Sequence, residues 1–249
     1  MSSSTDKHGS DPVVPELGLG ANFETAPRRA LELSTAARVA GMAHGASWEP
    51  SGVGGPDDLT NDVHELRGEI LRRDGRCVYC GLRSSTLQLD STNDLHIDLS
   101  PENLVASDPL CHGYHHLGDL EEKHARVAYL PGLDPTDVNH LQRLLIAELH
   151  EGNVEERGIA RELIVWLASH DAYTKDAYGT ANPAIFGEVL SRVDGPVRMR
   201  RGVAFEGLAL VFNPTRFREF ASAWRGELMA VRPRGTWASF YQDVMRLLA

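Results

Sequence analysis

Residues 72–118 read RRDGRCVYCGLRSSTLQLDSTNDLHIDLSPENLVASDPLCHGYHHLG, and the rest of the chain is read around this stretch. It holds all three cysteines, Cys77, Cys80 and Cys111, together with His96, His112, His115 and His116. Cys77 and Cys80 stand in a C-x-x-C followed at once by Gly81. That spacing makes a tight turn offering two thiolates to one metal ion. Further along, Asn103-Leu104-Val105 precedes Asp108-Pro109-Leu110-Cys111-His112. Pro109 suits the first turn of a helix and Asp108 its cap, so the first turn of that helix returns a third thiolate. The expected order is a knuckle, a short hairpin and a helix.

Three cysteines at this spacing point to a metal site more than to disulfides, and zinc is the metal that such thiolates select. The competing reading is three buried free thiols. A structural zinc takes about four protein ligands, so a fourth is needed. Asp108 is the first choice on a resemblance to HNH-like zinc fingers that carry a second C-x-x-C after N-L-V, whose first cysteine falls at this position; the other reading is that Asp108 only caps the helix and His115, His112 or His116 supplies the ligand. His115, four residues after Cys111 and on the same helical face, is the second, and His112 the third. A carboxylate added to three thiolates makes the site more anionic, whereas a neutral imidazole is the easier electrostatic partner.

The composition is that of a globular protein, 42% apolar and 24% charged over 249 residues. No apolar run approaches the ~18 residues of a membrane span. The first residues, MSSSTDKHGSDPVVPE, lack the apolar segment of a secretory signal, so a cytoplasmic location without membrane insertion is expected. The net charge of −10 argues against a protein whose main task is gripping nucleic acid, because phosphate contacts need a basic face. The short basic run Arg198-Met199-Arg200-Arg201 reads first as a solvated helix end or loop.

Along the chain, residues 1–25 are Ser-, Pro- and Gly-rich and read as a disordered lead. Residues 26–41 make a short helix or strand, and a Gly- and Pro-rich loop carrying Trp48 follows. Leu59, Val63, Leu66, Ile70 and Leu71 recur at helical spacing and lead a helix into the knuckle. Leu87 to Asp90 alternates as a strand, and so does Val127 to Leu130. Thr136 to Glu148 is an amphipathic helix with Val138, Leu141, Leu144, Leu145 and Leu149 on one face. Residues 155–170 make another, with Ile159, Leu163, Trp166 and Leu167 inward. A polar stretch separates it from a helix started by Pro183. Residues 202–212 are extended. Residues 215–229 are a helix with Phe217, Phe220 and Trp224 on one stripe, and residues 235–249 a terminal helix carrying Trp237. The fold class expected is α+β: a zinc module with its N-terminal segment over 26–125, a mainly helical region over 126–234 packed on it, and the helix 235–249.

A knuckle, hairpin and metal-bearing helix in this order resemble the ββα-metal (treble-clef) arrangement of HNH-type proteins. In HNH nucleases a histidine at the end of the first hairpin strand is the general base, and later Asn and His residues hold a catalytic metal. The matching text here is Leu89-Asp90-Ser91-Thr92. Ser91 sits where the base belongs, and a serine does not accept a proton near neutral pH. His96 lies five residues on, while Asn103 and His112 stand near the expected places. The resemblance therefore implies a degenerate HNH-like scaffold without catalytic residues.

A closer resemblance is to the IcmJ/DotN family of type IVB (Dot/Icm) secretion systems, over roughly residues 65–230. It rests on RDGRCVYCG at 73–81, LQLD at 87–90 without a following histidine, and NLV at 103–105. It continues with YLP at 129–131 before an amphipathic helix, PAIFG at 183–187, and PTRFREFASAW at 214–224. PAIFG is the most specific segment, because an HNH scaffold does not require it. The chain departs from the family at Asp108, where a cysteine is usual, which puts the zinc ligand set in question. The resemblance implies a cytoplasmic, non-catalytic, zinc-binding subunit, peripheral to an inner-membrane secretion complex. Its partners would be the C-terminal region of the coupling ATPase, DotL-like, and other coupling-complex subunits, and it would help recruit effectors. Trp224 and Trp237 are guesses for the partner surface. Two other readings compete. One is a metal-dependent HNH endonuclease using His96 or a histidine of 112–116. The other is a zinc-stabilised DNA-binding module, whose affinity would fall with salt.

Overall fold

A computed structural model of the chain describes residues 28–35, 61–94, 98–193 and 195–231. The expectations for residues 1–25, Trp48, His96, Trp237 and the helix 235–249 lie outside the described residues. Residues 28–35 form neither helix nor strand, apart from an antiparallel bridge between Thr35 and His116.

Helix α1 (Asn61–Asp74) leads into the knuckle, as its periodicity predicts. Its last two residues tie the hairpin to it. Arg73 donates to the carbonyls of Pro101 and Leu104, and the Asp74 carboxylate accepts from the Ala106 amide. Strands β1 (Gln88–Ser91) and β2 (Leu104–Ser107) pair antiparallel, Gln88 opposite Ser107 and Ser91 opposite Leu104. Helix α2 (Pro109–Gly113) follows, begun by Pro109 and capped by Asp108, which accepts from the Leu110 amide. A short 3-10 turn spans Leu117–Asp119.

A second antiparallel pair joins β3 (Ala125–Tyr129) to β4 (Leu208–Phe212). The expected division after residue 125 falls inside β3. Between these strands run α3 (Pro135–Glu151), α4 (Val154–Ser169), α5 (Asp171–Tyr178), α6 (Pro183–Arg192) and two single turns, α7 (Gly195–Arg198) and α8 (Arg201–Ala204). A 3-10 segment, Pro214–Phe220, then passes into α9 (Ala221–Val231). The architecture is thus mixed, mostly helical, with two small antiparallel sheets.

Every residue of β4 is buried, because the β3–β4 pair lies between two apolar clusters. The period of two decides the side. Val127, Leu208, Leu210 and Phe212 enter the cluster that also contains the three cysteines, Leu31, Leu33, Phe217 and Trp224. Ala128, Ala209 and Val211 face Val138 and Leu145 of α3 and Ala160 and Leu167 of α4. Both outer edges of the pair are satisfied rather than left open. The β3 amides of Val127 and Tyr129 donate to the carbonyls of Ala181 and His170. On the β4 side, Gln142 accepts from Phe212 and donates to Leu210, while the Tyr114 hydroxyl accepts from the Leu210 amide.

The expected inward face of α4 is corrected. Ile159, Leu163 and Trp166 are exposed, and of the four only Leu167 is buried. The helix docks instead through Ala160, Ile164, Leu167 and Ala168, a stripe one residue over. Alanines at both ends allow close approach, which the bulkier side chains would prevent. The polar stretch after it forms α5, whose Asp171 accepts from Arg126 and Lys175. The expected helix over 215–229 begins as a 3-10 segment with non-helical backbone at Phe217. Only residues 208–212 of the expected extended segment are strand. Trp224 is fully buried, so it belongs to the core and does not present a partner surface. Among the described residues no helix is long and apolar enough to cross a membrane.

Candidate metal centre

The knuckle is built by backbone bonds that the sequence permits only with glycine at its end. The Gly81 amide donates to the Cys77 carbonyl, and Gly81 sits at a φ of 75°, the left-handed region that side chains disfavour. The Cys77 amide donates to the Leu82 carbonyl and the Val78 amide to Ala106 of β2, so the turn is pinned against the hairpin. Cys111, in the first turn of α2, comes to the same place. The three sulfur atoms lie within 4.8 Å of one another and all three residues are buried.

Burial pushes the Cys77 and Cys111 thiols up. Hydrogen bonds from Cys111 and then Cys77, with the charge of Arg143 beyond them, hold Cys80 well below the ordinary thiol range. One thiolate supported by two thiols and a guanidinium is a donor set ready for a soft divalent ion.

Asp108 is wholly buried beside this group. Its Oδ1 accepts from the Leu110 amide at 3.0 Å and from Arg143 Nη2 at 2.8 Å. Its Oδ2 is buried with no hydrogen-bond partner. Among the described residues the ligand atoms that lie within 4.8 Å of one another here are the three sulfurs, and the Asp108 carboxylate is outside that group, so it is the three thiols that fit a thiophilic divalent ion such as zinc.

The alternative fourth ligands are placed elsewhere. His115 Nδ1 stands 2.9 Å from Asp90 Oδ2 and 3.3 Å from the Tyr79 hydroxyl. His112 Nδ1 stands 3.5 Å from Asp90 Oδ1. The Asp90 carboxylate is fully enclosed. Burial alone would raise its pKa, yet the charges of His115 and His112 outweigh that and hold it well below the usual carboxylate range. Burial works against protonated His115 too, but the Asp90 carboxylate wins and raises it. One ligand atom each from Asp90, His112 and His116 also lie within 4.8 Å of one another, a second buried group with metal-binding chemistry. Ser91 is buried in β1 beside Asp90, its amide bonded to the Asp90 carboxylate.

Sequence reasoning missed the contribution of α3. Asn139 Nδ2 donates to Cys111 Sγ at 3.4 Å, and Arg143 Nη2 reaches Cys80 Sγ at 3.7 Å. Arg143 Nη1 donates to His140 Nδ1 at 2.9 Å. A guanidinium only donates, so His140 Nδ1 must accept and Nε2 carries the proton, donated to the Cys80 carbonyl at 3.1 Å. Burial and Arg143 both lower the pKa of His140, which matches this neutral tautomer. The available signal was Asn139, Gln142 and Arg143 interrupting the side of α3 that carries Val138 and Ile146.

No protein-family model matches the chain, and no curated protein matches it.

Proposed function

We propose that this chain is a non-catalytic, zinc-stabilised subunit of a type IVB secretion coupling complex. In this reading it binds the C-terminal region of the coupling ATPase, sits in the cytoplasm at the inner-membrane complex, and helps recruit effectors. The observation that carries the metal half is the meeting of Cys77, Cys80 and Cys111 within 4.8 Å. Asp108 is the fourth donor in this reading, and its carboxylate has to move to serve, because it lies outside the 4.8 Å group of the three sulfurs. Bound zinc supplies folding energy here, holding the knuckle, the hairpin and α2 together. The partner half rests on the likeness of residues 65–230 to the IcmJ/DotN family, on the acidic net charge, and on Ser91 at the general-base position. A tagged copy recovered from the native organism, with its partners identified by mass spectrometry and its metals measured, tests both halves. Recovery of a coupling ATPase is expected, together with about one zinc per chain. Zinc without the ATPase, and with DNA-processing partners instead, contradicts the partner half.

The second reading is a metal-dependent HNH-like endonuclease. The grouping of Asp90, His112 and His116 favours it, because two imidazoles and a carboxylate suit a divalent transition metal. It requires DNA cleavage that depends on added manganese or magnesium and disappears in His112→Ala.

A further inference from the structure

Helix α4 carries more apolar surface than the fold buries. Ala160, Ile164, Leu167 and Ala168 dock it on the apolar cluster beneath. The adjacent row, Ile159, Leu163 and Trp166, stays exposed. His170, at the junction of α4 and α5, and the exposed Tyr173 of α5 extend that row. Positions 159, 163, 166, 170 and 173 follow a four-and-three spacing, the period that keeps one seam facing a neighbouring helix. The rings form a continuous surface: Trp166 and His170 lie 4.7 Å apart, and His170 and Tyr173 6.1 Å. Charge runs beside the seam in the same period. Glu155, Glu162 and Asp176, all exposed, stand on one row along its flank. The basic side chains of the two helices lie off that flank. Lys175 pairs with Asp171, Arg157 donates to the Gly152 carbonyl, and Arg161 shares the row of Ala168 at the docked side.

We propose that this seam is a docking surface for one amphipathic α-helix of another protein, apolar at three- and four-residue intervals and carrying Lys or Arg on the flank that meets Glu155, Glu162 and Asp176. The seam and the chemistry of its occupant lie beyond the proposed function and hold whichever protein supplies that helix. Shape selects a helix. From Ile159 to Tyr173 the seam runs about 20 Å, which four turns of a partner helix cover. Large anchors at i, i+4 and i+7 are the contacts a helix makes when it lies along an apolar strip. Trp166, at the middle of the seam, is of the residue type that most often dominates an interface. Charge selects the partner. An acidic row beside an apolar seam favours a basic flank opposite it and repels an acidic one. A second copy of this chain is disfavoured on that ground, because antiparallel pairing about a two-fold axis sets the acidic row against itself.

Benzoylphenylalanine, a photo-crosslinking amino acid, placed at Trp166 of the full chain in the native organism tests the seam, with the attached peptide sequenced by mass spectrometry. The same substitution at Glu102, exposed in the turn before β2, is the control. Illumination should join position 166, and not position 102, to a segment of another protein with apolar residues at three- and four-residue intervals and Lys or Arg along one flank. Adding Glu155→Lys and Glu162→Lys should cut that adduct by about 10-fold, because the facing charges then repel. Both glutamates are exposed, so the melting temperature should stay at the wild-type value. An adduct with a second copy, with residues 232–249 of the same chain, or with a segment whose flank is acidic would overturn the proposal. So would equal yields at positions 166 and 102, or a yield unmoved by the charge reversal in a folded chain. An attached helix of the expected chemistry from a protein other than a coupling ATPase would uphold this docking surface and overturn the partner half of the proposed function.

Discussion

At the scale of single residues, the three thiols and the Asp90–His115 pair make different demands. Cys77→Ser or Cys111→Ser removes a thiolate from a site whose other members are buried. Each should abolish stoichiometric zinc and cost about 3 kcal/mol or more, on the order of 10 °C in melting temperature, as read by calorimetry. The Asp90–His115 pair sets a pH dependence. The pKa of His115 is raised in the fold, so its contribution is complete below the ordinary histidine value of 6.5 and fades as pH rises through the raised value. The pKa of Asp90 is lowered, so its contribution is present above the ordinary carboxylate value of 3.8 and fades only as pH falls toward the lowered one. The protein should therefore lose stability on the alkaline side of about 6.5, by roughly 1.5–3 kcal/mol in full. Denaturant melts of His115→Gln across the same range should be flat by comparison.

At the scale of elements, close approach and burial set the consequences. Gly187, in the PAIFG segment of α6, packs against the 3-10 turn that follows the histidines. A Cβ there would lie 2.7 Å from Gly118 Cα and 2.9 Å from the Leu117 carbonyl carbon, both backbone atoms that yield little. Gly187→Ala should cost about 1–3 kcal/mol, measured by urea unfolding, although alanine ordinarily favours a helix. Trp224→Ala in α9, which loses a fully buried ring stacked near Phe217 and Phe220, should cost about 3–5 kcal/mol in the same measurement. The helix leading into the knuckle, the Asp108–Pro109 cap and the Cys77–Gly81 turn were legible in the sequence, because each rests on local chemistry. The docking face of α4 was not. Its apolar residues occupy two adjacent stripes, and only the small size of Ala160 and Ala168, meaningful once β3 and β4 lie beneath, decides between them. Asp90 likewise read as the residue before a missing base. That it gathers His112 and His115 depends on how α2 and the turn after it lie over β1. Arg143, with Asn139 and Gln142, interrupts an apolar side of α3, but an arginine on an amphipathic helix reads as solvated until a buried carboxylate and sulfur are found opposite it.

At the scale of the whole molecule, the cysteines and the strands β3 and β4 share one apolar cluster, so the metal centre and the helical region should melt together. Chelation of the purified chain should lower the main unfolding transition, with no separate transition left at the original temperature. The exposed apolar side chains of α4 and α5, among them Trp166 at 51% and Tyr173 at 64%, are the open surface that Trp224 is not. On the proposed function, Trp166→Ala should reduce recovery of the coupling ATPase and leave zinc content unchanged. Whether Cys77, Cys80 and Cys111 hold a structural zinc is decided by elemental analysis of the untreated protein. Protein purified without added metal should contain about one zinc per chain, and the same preparation of Cys111→Ser should contain almost none. A wild-type chain free of zinc, or a Cys111→Ser chain that keeps its full complement, would mean that these cysteines do not hold a structural zinc.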